Sequence, residues 1–284
     1  MKSSQLKWDS FTTPGIPTVS NIVPPGRKSG MWSPMTATLI YGERDAVLVD
    51  TFITVGQGDF LVDWIKGSGK NLTTIYITHG HGDHFFNIAQ IQDQFPNAKA
   101  VATPGTLAHM KQQVSPEQIN GFWNLRFPGQ IPERLRIADE LKRHSFELEG
   151  NQLVAVELGH TDTDDSTCLH VPSIGLVVAG DGAYNGVHQM LVESREQGRQ
   201  DWLSALDIIE SLKPRTVIAG HKRPGNEDDP RIIEESRQYI RDFGRLDGAT
   251  KTAQELYDEM LKLYPRWMNV TTLWASVHAA KAGR

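Results

Sequence analysis

Apolar positions along this chain recur with two periods that take turns, and the alternation predicts a layered α/β protein. Thr36 to Tyr41 and Ala46 to Val49 are short β-rich runs joined by Gly42-Glu43-Arg44-Asp45, a hairpin signal. Val55 to Lys66 then takes helical spacing, with Phe60, Leu61, Trp64 and Ile65 on one side, until Gly67-Ser68-Gly69 stops it. Leu72 to Thr78 reads as a buried strand, Phe85 to Phe95 as a helix, Lys99 to Ala102 as a strand and Pro104 to Gln112 as a helix. The order favours sheets covered by helices.

Further along, Ser145 to Leu158 holds strand-like runs, with Gln152 to Leu158 the clearest, and Thr167 to Val171 and Ile174 to Ala179 form a hairpin around Pro172-Ser173. Arg199 to Lys213 is an amphipathic helix whose stripe is Trp202, Leu203, Leu206, Ile209 and Leu212. Thr216 to Ala219 is the last strand. From Arg231 to Arg284 three helical segments follow, with Gly244 to Gly248 and Pro265 as breakers. Two stretches escape both periods. Met1 to Pro34, rich in Pro, Ser and Gly, is an irregular entry with one edge strand, and its end at Gly30 to Met35 reads equally as a flap over a pocket or as a packing loop. Val114 to Asp139 carries Phe122, Trp123, Leu125, Phe127, Pro128 and Pro132 in a polar setting. Those rings either line a substrate pocket as a lid or pack the insertion onto the body.

Composition narrows the class without changing it. At 284 residues, 39% apolar and 22% charged, the chain is an ordinary globular protein with ample core, expected as a single domain over residues 1–284: a core of about 36–221, the insertion at 114–139 and a helical extension at 230–284. A net charge of −5 speaks against a nucleic-acid partner. The lone Cys168 excludes an intrachain disulfide and thiolate-rich metal sites, and fits a reducing compartment. Met1 to Ser20 holds Lys2 and Lys7 but no unbroken apolar segment, and no window reaches the length of a membrane helix. The expectation is a cytoplasmic protein that acts on a small molecule without nucleic acid or membrane, its oligomeric state left open with a homodimer as one option.

The chemistry is concentrated in Thr78 to His84, read Thr-His-Gly-His-Gly-Asp-His. Imidazoles and a carboxylate at that density, without thiolate, suit zinc, with iron or manganese as the alternatives. The strands expected to end near Thr78, Leu158, Ala179 and Ala219 each deliver a histidine or aspartate just beyond. His79, His81, Asp83, His84, His160, Asp181 and His221 would therefore meet on one sheet edge, where ligands of α/β folds gather. Seven groups exceed one tetrahedral ion and suit two that share a carboxylate.

In these motifs the sequence resembles the metallo-β-lactamase superfamily of binuclear hydrolases. The match rests on His-x-His-x-Asp-His at His79 to His84, then His160, Asp181 and His221 in that order. The resemblance implies a four-layer αβ/βα sandwich with two internal sheets and helices outside. It further implies that His79, His81 and His160 hold one zinc, Asp83, His84 and His221 a second, and Asp181 bridges them. Asp50, at an early strand end, would hold the histidine loop through hydrogen bonds. A bridging Asp181 is closer to the lactonases and thioester hydrolases of the family than to its antibiotic-degrading members. The chain also departs from the pattern: many relatives follow the single histidine with Gly and a second His, whereas here His160 precedes Thr161, Asp162, Thr163, Asp164 and Asp165.

The function these residues imply is a metal-dependent hydrolase in which water activated between two cations opens a small lactam, lactone or related acyl bond. A thioester hydrolase, a phosphodiesterase and a di-iron redox enzyme are the alternatives. Asp83 is a candidate proton relay. Tyr184, His188 and Lys222 are candidates for leaving-group acid or substrate contact because each lies near a ligand in sequence, as are Trp123 and Phe127 if the insertion is a lid. Each has a plain structural alternative: packing for Tyr184 and His188, and an ion pair with Glu227 or Asp228 for Lys222.

Overall fold

A computed structural model describes residues 5–20 and 23–282. Lys2 and the extreme ends of the irregular entry and of the C-terminal extension lie outside the described residues. The architecture is the expected sandwich. One sheet has six strands, in the order Lys7–Thr12, Thr36–Tyr41, Asp45–Val49, Asn71–Tyr76, Lys99–Ala102 and Asp139–Glu140. Its first two pairings are antiparallel and the rest parallel. The second sheet has five strands, in the order Thr216–Lys222, Leu176–Asn185, Ser166–Val171, Asn151–Gly159 and Ser145–Leu148, parallel only at its first pair.

The apolar runs are nearly continuous because both faces of each sheet are covered. Ile40, Val47, Val49 and Tyr76 point inward and meet Leu153, Leu169, Val171, Val178 and Ile218 of the opposite sheet. Their neighbours Leu39, Ala46 and Leu48 point outward into a cluster with the helices Val55–Gly67 and Ile88–Gln94. On the far side, Trp202, Leu206 and Ile209 of the helix Glu196–Ser211 pack with Val177, Val217 and Ala219. Each fully buried Val, Leu or Ile in these layers contributes about 1.5–3 kcal/mol relative to exposure.

Several local expectations are corrected. Phe60 does not join the buried side of its helix but is 68% exposed, since the face set by Leu61, Val62 and Ile65 leaves it outside. The helix expected from Phe85 starts only at Ile88, because a 3-10 turn over Gly82–His84 first folds the histidine loop inward. Gly244 to Gly248 breaks nothing: the helix Ile232–Ala249 runs through it, held by Ile240, Phe243 and Leu246 on one buried stripe. Asp181 and His221 sit inside extended strands, not just past them. The pairing between those strands slips between Gly180 and Tyr184, which turns the Asp181 carboxylate toward the histidines.

The aromatic insertion resolves as packing. Residues Pro116–Arg126 form short helical turns, and Trp123, 2% exposed, meets the rings of Phe86, Phe122 and Trp32 at centroid separations of 5.0, 4.9 and 5.4 Å. Phe127 is fully buried in the same cluster. Both rings bury their surface against the body, Trp32 included, as a packed plug does.

Candidate metal centre

The strand Asn71–Tyr76 leads into Thr78 and the histidine loop, and one residue before the helical layer fixes that loop. Asp50 lies at φ 60°, the left-handed region, a strained setting for a non-glycine residue. From there its Oδ1 accepts the backbone N–H of Thr78 at 2.8 Å, and its Oδ2 accepts the Thr78 hydroxyl at 2.8 Å and faces His84 Nδ1 at 2.9 Å. The Thr78 hydroxyl in turn lies 3.1 Å from His79 Nδ1. Asp50 therefore orients two imidazoles, directly and through Thr78, and leaves the Nε2 atom of each pointing inward. Asp50→Ala is expected to weaken metal binding about 10–100-fold, the usual cost of losing such a support, as measured by chelator competition. Unchanged affinity would remove Asp50 from the site.

The remaining ligand-type side chains converge from the second sheet. His221 Nδ1 donates to the carbonyl of Pro34 at 2.8 Å, and its Nε2 lies 3.1 Å from Asp181 Oδ2 and 3.5 Å from Asp83 Oδ2. His84 Nε2 is 3.4 Å from Asp181 Oδ1. His81 turns the other ring atom inward: its Nδ1 lies 2.9 Å from Asp162 Oδ2, while its Nε2 lies 3.3 Å from Glu193 Oε1 at the rim. Three sets can each hold an ion with ligand atoms within 4.8 Å of one another: His79, His81 and Asp162; Asp83, His84 and His221; and His79, His84 and Asp181. Two glycines make the approach possible. Gly180, at φ 52°, would put a Cβ 2.4 Å from Thr78 Oγ1, and a Cβ on Gly220 would lie 2.4 Å from Asp181 Oδ1.

A cation fits this pocket on two grounds. His79 Nε2, His84 Nε2, Asp162 Oδ2 and Asp181 Oδ1 are all buried without a hydrogen-bond partner, and each such atom costs about 1–3 kcal/mol unless something satisfies it. The field is also arranged for positive charge. Burial alone would depress the histidines, yet Asp181, Asp83 and Asp50 lift His84 to about 9. Asp162 and Glu193 likewise raise His81, and Asp181 and Asp83 raise His221, in both cases against burial. His79 is lowered, by burial and by His84 beside it. Burial works against ionisation of Asp83 and Asp181, but the histidines hold both below the usual carboxylate range. Imidazole and carboxylate donors without thiolate match zinc, iron or manganese.

Six of the seven expected ligands meet here, and His160 does not. Its Nδ1 lies 2.6 Å from Asp164 Oδ1 and its Nε2 3.0 Å from Ser194 Oγ, with the backbone of Gly198 against the ring. Asp162, two residues on, is fully buried and takes the place beside His79 and His81. The other candidates are also reassigned. The Tyr184 hydroxyl donates to Asp181 Oδ2 at 2.6 Å, and burial and that carboxylate push its pKa up, so it stays protonated and positions Asp181. His188 is a core residue bound to the Tyr239 hydroxyl at 3.0 Å, kept neutral by burial that lowers it to about 3. Lys222 is held by Asp228 at 2.8 Å. Asp83 Oδ2 accepts the indole N–H of Trp32 at 3.0 Å, and the neighbouring histidines keep it anionic against burial, the form in which a carboxylate can accept a proton.

Sequence reading missed Asp162, Trp32 and Glu193 as members of the site. The acidic run Asp162 to Asp165 carried a signal for the first, because a carboxylate four residues ahead of the strand Ser166–Val171 stands on the approach to the sheet edge. Trp32 lies in the segment Gly30 to Met35 that reads as a flap or a packing loop, with no sign in it that the indole meets a metal ligand, and Glu193 carried no signal; each reaches the centre from a distant loop. The short pairing of Pro17–Thr18 with Gly30–Met31 and a bond from Met31 N to Thr271 Oγ1 at 3.0 Å hold the Trp32 segment in place.

Comparison with known proteins agrees with this fold. The sequence profile of the Metallo-beta-lactamase superfamily matches residues 31–221. A Metallo-beta-lactamase type 2 from Bacteroides fragilis is 22% identical over 213 residues, 74% of this chain and 76% of the relative. Among solved structures, a metallo-beta-lactamase family protein from Thermus thermophilus superposes with a TM-score of 0.62 at 20% identity, covering 95% of this chain and 91% of that one. A metallo-beta-lactamase from Pontibacter korlensis gives 0.56 at 16% identity, covering 84% and 99%. At these identities the structural likeness speaks to the fold.

Proposed function

The chain belongs to the metallo-beta-lactamase superfamily, and on that footing we propose that it is a two-metal hydrolase opening a small cyclic amide or ester or a related acyl bond. The carrying observation is the convergence of two buried triads, His79, His81, Asp162 and Asp83, His84, His221, on either side of Asp181. Bound there, the two cations would bring a water to a nucleophilic state near neutral pH and polarise a carbonyl oxygen. The chain's own residues do the positioning. Asp50 and Thr78 aim His79 and His84, the Pro34 carbonyl aims His221, Trp32 holds Asp83 and Tyr184 holds Asp181. The Tyr184 bond occupies Asp181 Oδ2 and leaves Oδ1 toward His84, so the shared carboxylate presents a fixed edge. A net charge of −5 and the absence of a basic tract weigh against a nucleic-acid phosphodiester.

A second reading, a di-iron redox enzyme, is favoured by one observation: each triad is two imidazoles and one carboxylate, a set that suits iron. Metal analysis of protein expressed in plain medium separates zinc from iron. A panel of lactam, lactone, thioester and phosphodiester substrates then tests the chemistry. We expect turnover of at least one acyl substrate, abolished by chelation and restored by metal. A fully loaded protein that hydrolyses none would reject the hydrolase.

A further inference from the structure

The half of the centre built on His79 and His81 is completed by a carboxylate where the family resemblance led to a histidine. We propose that Asp162, not His160, is the third ligand there, so that both halves are two-histidine, one-carboxylate positions and the pair discriminates less sharply for zinc over manganese than a three-histidine position would. The inference rests on the reading of the site as a metal centre.

Four observations carry it. Asp162 Oδ2 lies 2.9 Å from His81 Nδ1 and 3.8 Å from His79 Nε2. That oxygen and His79 Nε2 are both buried and make no hydrogen bond of normal geometry, and they face each other across the same space. The loop is built to present this oxygen. The Thr161 hydroxyl lies 3.0 Å from Asp162 Oδ1, Thr161 N donates to the Thr163 carbonyl at 2.9 Å, and Ser166 Oγ donates to the same carbonyl at 3.1 Å. The Thr163 hydroxyl donates to Glu193 Oε2 at 2.8 Å, while Glu193 Oε1 faces His81 Nε2, so Asp162 and Glu193 grip His81 from its two ring nitrogens. Finally, His160 is committed elsewhere. Its nitrogens meet Asp164 and Ser194, a Cβ on Gly198 would lie 2.7 Å from its Nε2, and among the described residues no converging set of ligand atoms includes it, whereas His81 belongs to one.

The chemical consequence follows from donor type. A carboxylate is a harder ligand than imidazole and brings a negative charge, which favours manganese relative to zinc more than a neutral nitrogen does. With Asp162 counted, three carboxylates and four imidazoles face the two positions, and neither half is the softer one.

The test uses the full chain, stripped by chelator and reloaded from equimolar zinc and manganese, with bound metal counted by mass spectrometry. Wild type and His160→Ala should each hold two equivalents, and Asp162→Ala should hold about one. Asp162→His should keep two and raise the zinc-to-manganese ratio by roughly tenfold or more. Asp162→Asn, which keeps the contact to Thr161, serves where the alanine variant fails to fold and should lose the same equivalent. Loss of a metal in His160→Ala with none lost in the Asp162 variants overturns the assignment, as does an unchanged ratio in Asp162→His. Wild type that binds no metal would instead overturn the metal centre as a whole. Two bound equivalents without hydrolysis would reject only the proposed activity.

Discussion

Asp181→Ala should abolish turnover and release metal together. The carboxylate faces His84 at 3.4 Å and His221 at 3.1 Å and takes the Tyr184 hydroxyl at 2.6 Å, so its removal strips a shared ligand and leaves buried partners without their counter-charge. Losing a shared ligand outright should cost more than the roughly 10–100-fold typical of a group that only supports a ligand, so kcat/KM should fall by at least about a hundredfold; separately, breaking the buried arrangement costs roughly 3–5 kcal/mol of folding stability. Metal content should drop by at least one equivalent, read by mass spectrometry on protein whose circular dichroism matches wild type. Asp181→Asn, which keeps the shape but not the charge, should lose metal too. Unchanged turnover or unchanged metal in either variant would remove Asp181 from the centre.

Trp123→Ala should act through stability and not through substrate choice. The indole is packed among Phe86, Phe122 and Trp32, and its N–H donates to Gln113 at 3.0 Å. Emptying a site of that size costs about 3–5 kcal/mol, and the melting temperature should fall by roughly 10 °C. A second effect follows from the neighbour. Trp32 lies on Trp123 on one side and donates to Asp83 on the other, so the loss should weaken metal binding secondarily. Thermal melts with and without chelator read both effects. A variant with wild-type stability and an altered KM profile would restore the lid that the packing argues against.

Those two residues differ in how far the chain discloses their fate. Asp181 was legible because a carboxylate at the end of an apolar run, with histidines at corresponding places on other runs, points to metal chemistry wherever the strands converge. The fate of Trp123 was not legible. An aromatic run without periodicity has the same appearance as a lid or as a plug, and only the position of Phe86 and Trp32 in space separates the two.

The alternation of strands and helices, the cluster His79 to His84, and the candidacy of Asp181 and His221 as ligands can all be read along the chain, whereas the role of Asp50 came only with the family resemblance. Periodicity and the spacing of ligands are local properties, so the residues display them directly. Which side chain of the segment His160 to Asp165 turns inward is settled in three dimensions. Ser194 and the first turn of Glu196–Ser211 engage His160, while Thr161, Thr163 and Ser166 set the loop that presents Asp162 to His79 and His81. The same packing brings Trp32 and Glu193 to the centre. Which of two neighbouring polar groups enters a buried site depends on what claims the other, and those claimants lie on distant parts of the chain.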